Sequence, residues 1–150
     1  MATNMSIKRL TTELKQMTKE PIEGMTFEHP ADLYTWNIAI NGPKDTPYEN
    51  GVFKILLRMD DTYPFKPPSV KFLSPIFHPN IYSDGKICID ILQSSEWSAA
   101  LNIRTVLLSI ISLINDPNPL SPANRKAAEL YVKDRNAYNE QVKKIFFNIV

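Results

Sequence analysis

The distribution of proline is the strongest restriction that this sequence places on its own fold. Twelve prolines stand against four glycines in 150 residues, so turns are set by restricted φ angles more than by glycine freedom. The prolines concentrate in the middle third and again in residues 117–122, with apolar residues around them. Because proline neither continues a helix nor donates to a sheet ladder, these stretches predict ordered loops between regular elements.

The first half of the chain predicts one helix followed by strands. Residues 4–18 carry apolar side chains at helical spacing, with Asn4 or Ser6 as the N-cap. Three segments that are aromatic, β-branched or alternating predict strands, at residues 33–40, 51–61 and 69–73. Strands joined this closely in sequence are expected to form an antiparallel meander.

The second half predicts helices. A helix that is apolar nearly all round follows Asn102, and Pro117 and Pro119 end it. Ser121 and Pro122 have the composition of the N-cap and first position of another helix, and a last one runs from about residue 136. The predicted fold is therefore α+β: an antiparallel meander sheet of about four strands, flanked by an N-terminal helix and C-terminal helices.

Composition limits the class of protein. A chain of 150 residues that is 43% hydrophobic predicts one domain over residues 1–150. Its net charge of +1, and the lack of a long apolar run, argue against nucleic acid or membrane as partners. One cysteine and two histidines make a metal site improbable, and nothing suggests a cofactor. The lone thiol indicates a reducing compartment, so we expect cytoplasm and nucleus.

The irregular segment at residues 74–100 contains Cys88, the only cysteine. A long segment of this kind without regular structure, yet too apolar for disorder, is usually functional. Taken alone, Cys88 fits an inert buried thiol at least as well as a nucleophile. His78 fits a structural hydrogen bond, Asn80 a turn, and Ser121 a helix cap.

The arrangement of these residues is more specific than each residue alone. His78, Pro79 and Asn80 are followed by Cys88 eight residues after the asparagine, and then by Ile-Asp-Ile-Leu at residues 89–92. The flanking blocks occur in order: WNIAINGPKDTPYENGVFKI, YPFKPPSVKF, Trp97 and DPNPLSPAN. On these motifs the chain resembles the ubiquitin-conjugating enzymes over essentially all its residues. SPAN and CIDILQ resemble the Rad-type branch, and YPFKPP the broad-specificity branch.

The resemblance implies a catalytic role for the segment. Cys88 would accept ubiquitin from the activating enzyme as a thioester and pass it to a substrate lysine or to a ligase cysteine. Exchange between thiols needs no dedicated base, because the incoming acyl group is already activated. Asn80 would stabilise the oxyanion of lysine attack, or brace the loop, or both. The remaining residues implied are Ser121, which admits the lysine, Asp90, the nearest carboxylate, and His78 with Pro79 as support.

The resemblance also implies partner surfaces on a monomer. The activating enzyme would meet the N-terminal helix at Lys8, Arg9 and Lys15. Ligases of the RING or HECT type would dock at Phe65, Lys66, Ser98 and Ala99. Leu108 would contact the donor ubiquitin, although helical periodicity fits ordinary core packing equally well.

Three departures from the family pattern stand out. Ala99 replaces the usual proline after Trp-Ser, and one extra residue precedes Trp97 in QSSEW. Leu120 replaces an acidic or asparagine residue, which makes the entrance less polar and is expected to slow intrinsic lysine attack. Two alternatives stay open from sequence: a non-catalytic ubiquitin- or ligase-binding module of the same fold, and a conjugating enzyme for another ubiquitin-like modifier.

Overall fold

A computed structural model describes residues 4–147 and, for Asn4, the backbone alone. Within that range the chain forms four α-helices, four strands and one 3₁₀ turn. In chain order they are α1 (Asn4–Lys19), β1 (Met25–Phe27), β2 (Thr35–Asn41), β3 (Val52–Arg58), β4 (Ser69–Phe72), the 3₁₀ turn (Asp90–Leu92), α2 (Ile103–Asn115), α3 (Arg125–Lys133) and α4 (Arg135–Phe147). The single domain predicted for residues 1–150 includes 1–3 and 148–150, which lie outside the described residues.

The sheet is an antiparallel meander in the order β1-β2-β3-β4, so the predicted α+β class and topology are confirmed. The sequence locates three of the strands, and the fourth is β1. This strand pairs Met25 with Ile40 of β2. It has only three residues, too few for an alternating pattern to be visible in the sequence.

The core lies between the inner face of the sheet and α2. The inward positions of β2 and β3 are fully apolar: Trp36, Ile38, Ile40, Phe53, Ile55 and Leu57. Facing them, α2 buries Ile103, Val106, Leu107, Ile110 and Ile114. Leu108, on the same helix, is 48% exposed, so core packing is the wrong interpretation of that residue. The helix is therefore apolar on one buried face and also at one exposed position.

Two predicted helix caps are wrong. Ser6 lies inside α1, where its hydroxyl meets the Tyr34 hydroxyl at 2.7 Å, and the side chain of Asn4 lies outside the described part of the chain. Ser121 does not cap α3, because Asn124 does so by accepting a hydrogen bond from the Ala127 N–H at 3.0 Å. The backbone N–H of Asn124 donates to the carbonyl of Pro79. This bond keeps the residues before Asn124 out of the helix.

A buried carboxylate connects α1 to α2. Glu13 is 5% exposed and accepts hydrogen bonds from Arg9 Nε (3.0 Å), Tyr63 Oη (2.6 Å) and the Ile103 N–H (2.7 Å). Because Ile103 is the first residue of α2, the carboxylate lies at the positive end of that helix. Glu13 therefore helps to fix the start of the helix whose far end borders the candidate site.

Candidate functional site

Cys88 lies half-buried in an open groove of about 310 Å³. One wall comes from the irregular segment and the other from the end of α2 and the loop that follows it. The polar side chains of this groove are Asn80, Asp90, Ser109, Ser112, Asp116, Asn118 and Ser121. The structure therefore brings together all four residues that the sequence singles out as catalytic: Cys88, Asn80, Asp90 and Ser121.

A tight turn returns the chain from Asn80 to Cys88. Gly85 adopts a φ of +94°, and a Cβ atom there would lie 2.1 Å from the Phe72 carbonyl oxygen, so the position requires glycine. Beyond the turn, the Cys88 N–H donates to the Asn80 carbonyl at 2.8 Å. The backbone of Cys88 is thus held by a hydrogen bond to the backbone of Asn80.

His78 is fully buried and bridges two elements. Its Nε2–H donates to the Leu113 carbonyl at 2.9 Å, and its Nδ1 accepts the Asn80 N–H at 2.9 Å, which fixes a neutral tautomer. Burial lowers the pKa of His78 to about 4, although the bond to Leu113 acts in the opposite direction. A neutral imidazole committed on both nitrogens braces the loop and is unsuited to act as a base.

This burial predicts acid sensitivity. The unfolded imidazole takes up a proton near pH 6.5, whereas the folded one stays neutral to about pH 4. The contribution of His78 to stability is therefore present above pH 6.5 and is lost as the pH falls toward 4, by up to about 3 kcal/mol. Urea denaturation at a series of pH values is expected to show this loss in the wild type. The loss should be much reduced in His78→Gln and unchanged in His29→Gln, whose histidine is exposed.

The side chain of Asn80 spans the groove from one wall to the other. Its Nδ2 donates to the carbonyls of Asn118 (2.8 Å) and Ser121 (3.1 Å), and its Oδ1 accepts the Asn118 N–H at 2.8 Å. Both amide hydrogens are thus engaged with backbone oxygens. The geometry favours the bracing role, since stabilising an oxyanion requires the release of one of these bonds.

Removing this brace has a predictable effect. Asn80→Ala is expected to lower the free energy of unfolding by about 2 kcal/mol, because backbone groups on the far wall lose their partners. With the role that the resemblance implies for Cys88, discharge of its acyl group to lysine should slow more than loading, since loading needs only the sulfur. Thermal unfolding and single-turnover assays measure the two effects. Slow discharge at unchanged stability would instead favour a purely oxyanion-stabilising role.

Several polar groove residues are absent from the sequence-based prediction. Asp116 and Asn118 belong to the same DPNPLSPAN stretch as Ser121, and Ser109 and Ser112 lie on the last turns of α2. The prolines after α2 mark this stretch in the sequence. Only the structure shows that the stretch lies opposite Cys88.

The residues predicted for ligase docking lie on two loops that a hydrogen bond connects. Phe65 is 66% exposed, and Lys66, its neighbour in sequence, and Ser98 are exposed as well. Trp97 joins the two loops, because its Nε1–H donates to the Pro64 carbonyl at 2.8 Å. Ala99 is half-buried.

The three basic residues of α1 that the resemblance assigns to the activating-enzyme surface differ in setting. Lys8 and Lys15 are exposed, as a docking role requires. Arg9 instead donates to the carbonyls of Ala99 (2.9 Å) and Leu101 (2.6 Å) as well as to Glu13. Its guanidinium group therefore holds the loop that carries Ala99.

A model of the family "Ubiquitin-conjugating enzyme" matches residues 9–146, a range that contains the whole groove. The chain belongs to the ubiquitin-conjugating enzyme family. The sequence-based prediction of the family is thus confirmed.

Curated relatives of this conjugating enzyme cover most of its length. "Ubiquitin-conjugating enzyme E2 2" of Mycosarcoma maydis is 48% identical over 139 residues, which is 92% of this chain and 75% of the relative. The proteins of the same name from Saccharomyces cerevisiae and Yarrowia lipolytica are 47% and 45% identical over 137 residues, 91% of this chain and 79% and 90% of theirs. The branch within the family stays a prediction.

The conjugating enzyme is thus a transferase of the ubiquitin conjugation pathway that forms a thioester intermediate, and not a non-catalytic module. The family implies three classes of partner: ubiquitin, an activating enzyme and ligases. Among residues 4–147 no cluster of three or more histidine, cysteine or carboxylate side chains could hold a metal ion. None of the helices in that range is long and apolar enough to cross a membrane.

Proposed function

We propose that Cys88 is the residue that carries the ubiquitin thioester in this conjugating enzyme. The observation that supports it best is that Cys88 lines an open groove and that a backbone hydrogen bond to Asn80 holds it there. A thiol that relays an activated acyl group needs accessibility and a fixed position more than it needs a base. The neutral, fully engaged His78 agrees with that requirement.

For the transfer step, we propose that the acceptor lysine enters beside Ser121 and Asp90. Both residues are exposed and line the groove on opposite walls. The Asp90 carboxylate can attract and orient the lysine ammonium group, and can help it to lose its proton before attack. Asn80 contributes by holding the Ser121 wall in place.

The surfaces proposed for the three classes of partner are chosen by the exposure and contacts of their side chains. Leu108 is proposed to contact the donor ubiquitin, because it is an exposed leucine on the helix that borders the groove. The ligase surface is proposed to comprise Phe65, Lys66, Ser98 and Ala99. The activating enzyme is proposed to meet Lys8 and Lys15 directly, with Arg9 acting through the Ala99 loop.

A loading assay tests the proposal. The protein is incubated with an activating enzyme, ATP and either ubiquitin or another ubiquitin-like modifier, and the products are separated with and without a thiol reductant. We expect a conjugate with ubiquitin that disappears on reduction. A conjugate formed only with a different modifier would overturn the choice of ubiquitin, and no conjugate with any modifier would overturn the proposal.

A further inference from the structure

Leu120 occupies a distinctive place at the edge of the groove. Its side chain is 90% exposed, more than any other large apolar residue in the described part of the chain. Single exposed leucines are common on protein surfaces, so exposure alone carries no conclusion. This one, however, lies between Asn118 and Ser121, and both of these residues line the groove around Cys88.

The backbone on both sides of Leu120 is held in place. The Leu120 N–H donates to Asn118 Oδ1 at 3.2 Å, and Asn80 donates to the carbonyls of Asn118 and Ser121. A contact residue on a fixed backbone loses little conformational entropy when a ligand covers it. The backbone that carries Leu120 is therefore held next to the groove, between two residues that line it, so this exposed leucine is available to an acceptor that enters beside Ser121.

The groove itself is acidic, in contrast to the apolar side chain of Leu120. Its charged lining residues are two carboxylates, Asp90 and Asp116, which favour an incoming ammonium group. An acceptor that suits the whole entrance therefore combines a lysine, directed into the acidic groove, with an aliphatic side chain next to it on the rim. Free lysine satisfies only the first requirement.

We propose that Leu120 is a specificity-determining residue that selects acceptor lysines with an aliphatic neighbour in their own chain. The inference rests on the proposed function, in which Cys88 carries the thioester. In the reaction the lysine nitrogen bonds to the carbonyl carbon, the carbon–sulfur bond breaks, and Cys88 leaves as the thiolate. The proton released by the amine balances the charge, and Leu120 contributes only to binding of the acceptor.

The test is single-turnover discharge of purified thioester, without ligase, to capped tetrapeptides that contain one lysine. One peptide has leucine before the lysine, one has leucine after it, and one has alanine at both positions. The wild type is expected to react about fivefold faster with a leucine peptide than with the alanine peptide, as for roughly 40 Å² of apolar surface removed from water. Leu120→Asn should bring this ratio below about twofold.

Val132→Asn is the matched control, since Val132 is 67% exposed on α3 and should keep the fivefold ratio when replaced. Equal rates for all peptides in the wild type would overturn the inference, as would a ratio that survives in Leu120→Asn. The inference would also be wrong if Leu120→Asn changed the discharge rate equally with every acceptor, including free lysine. Leu120 would then act only through the polarity of the entrance. Failure to form the thioester would overturn the proposed function together with this inference, whereas loading without selectivity would overturn only the inference.

Discussion

Cys88→Ala is expected to lose conjugate formation entirely, and Cys88→Ser to form a conjugate that survives thiol reductants. The chain has no second cysteine to take over, so transfer should fall by at least about a thousandfold. Serine can accept the acyl group as an oxygen ester, but its hydroxyl is both a weaker nucleophile and a poorer leaving group than the thiolate. Loading of Cys88→Ser should therefore be slow and its discharge to lysine slower still.

The measurement is the gel assay of conjugates, with thermal unfolding as the control for folding. Because Cys88 is half-buried at the groove and not in the core, alanine should cost only about 1 kcal/mol of stability. A thiol-sensitive conjugate in Cys88→Ala would contradict the proposed role of this residue. An ester in Cys88→Ser that discharges as fast as the wild-type thioester would contradict the argument from leaving-group quality.

Glu13→Ala is expected to lower the free energy of unfolding by roughly 3–5 kcal/mol. The variant leaves the Arg9 guanidinium short of its carboxylate partner and removes the acceptors of the Tyr63 hydroxyl and the Ile103 N–H. Glu13→Gln keeps one carbonyl oxygen for Ile103 and should lose about half as much. Urea denaturation of the three proteins measures the differences.

Glu129 provides the matched control. It forms an i,i+4 ion pair with Lys133 at 3.0 Å, but both side chains are mostly exposed. Exposed pairs contribute little, so Glu129→Ala should change stability by no more than about 0.5 kcal/mol. Equal losses of unfolding free energy in Glu13→Ala and Glu129→Ala would show that neither the burial of Glu13 nor its bond to the start of α2 adds to stability.

Elements with a clear period were predictable from the sequence, and elements fixed by distant partners were not. The helix at residues 4–18 and the three longer strands follow from local spacing, and α1 and β2–β4 lie there. The start of α3 does not, because Asn124 becomes the cap only when Pro79 holds the preceding backbone. A carbonyl from another part of the chain leaves no local sign in the sequence.

The site divides in the same way. The resemblance that the His-Pro-Asn motif carries points to Cys88 and Asn80, and both line the groove. The use of both Asn80 amide hydrogens could not be predicted, since their acceptors are carbonyls 38 and 41 residues away. In the sequence, Arg9 is one of several basic residues on the polar side of a helix. Only the fold shows that it donates hydrogen bonds to the carbonyls of Ala99 and Leu101.

The brace from Asn80 to Ser121 also determines when the site comes into existence during synthesis. Translation proceeds from the N-terminus, so Cys88 is added to the growing chain before residues 118–124 are made. Until then Asn80 has no carbonyls to bind, and the second wall of the groove is missing. An incomplete chain that ends before these residues thus carries the thiol of Cys88 with only one of the two walls of the groove.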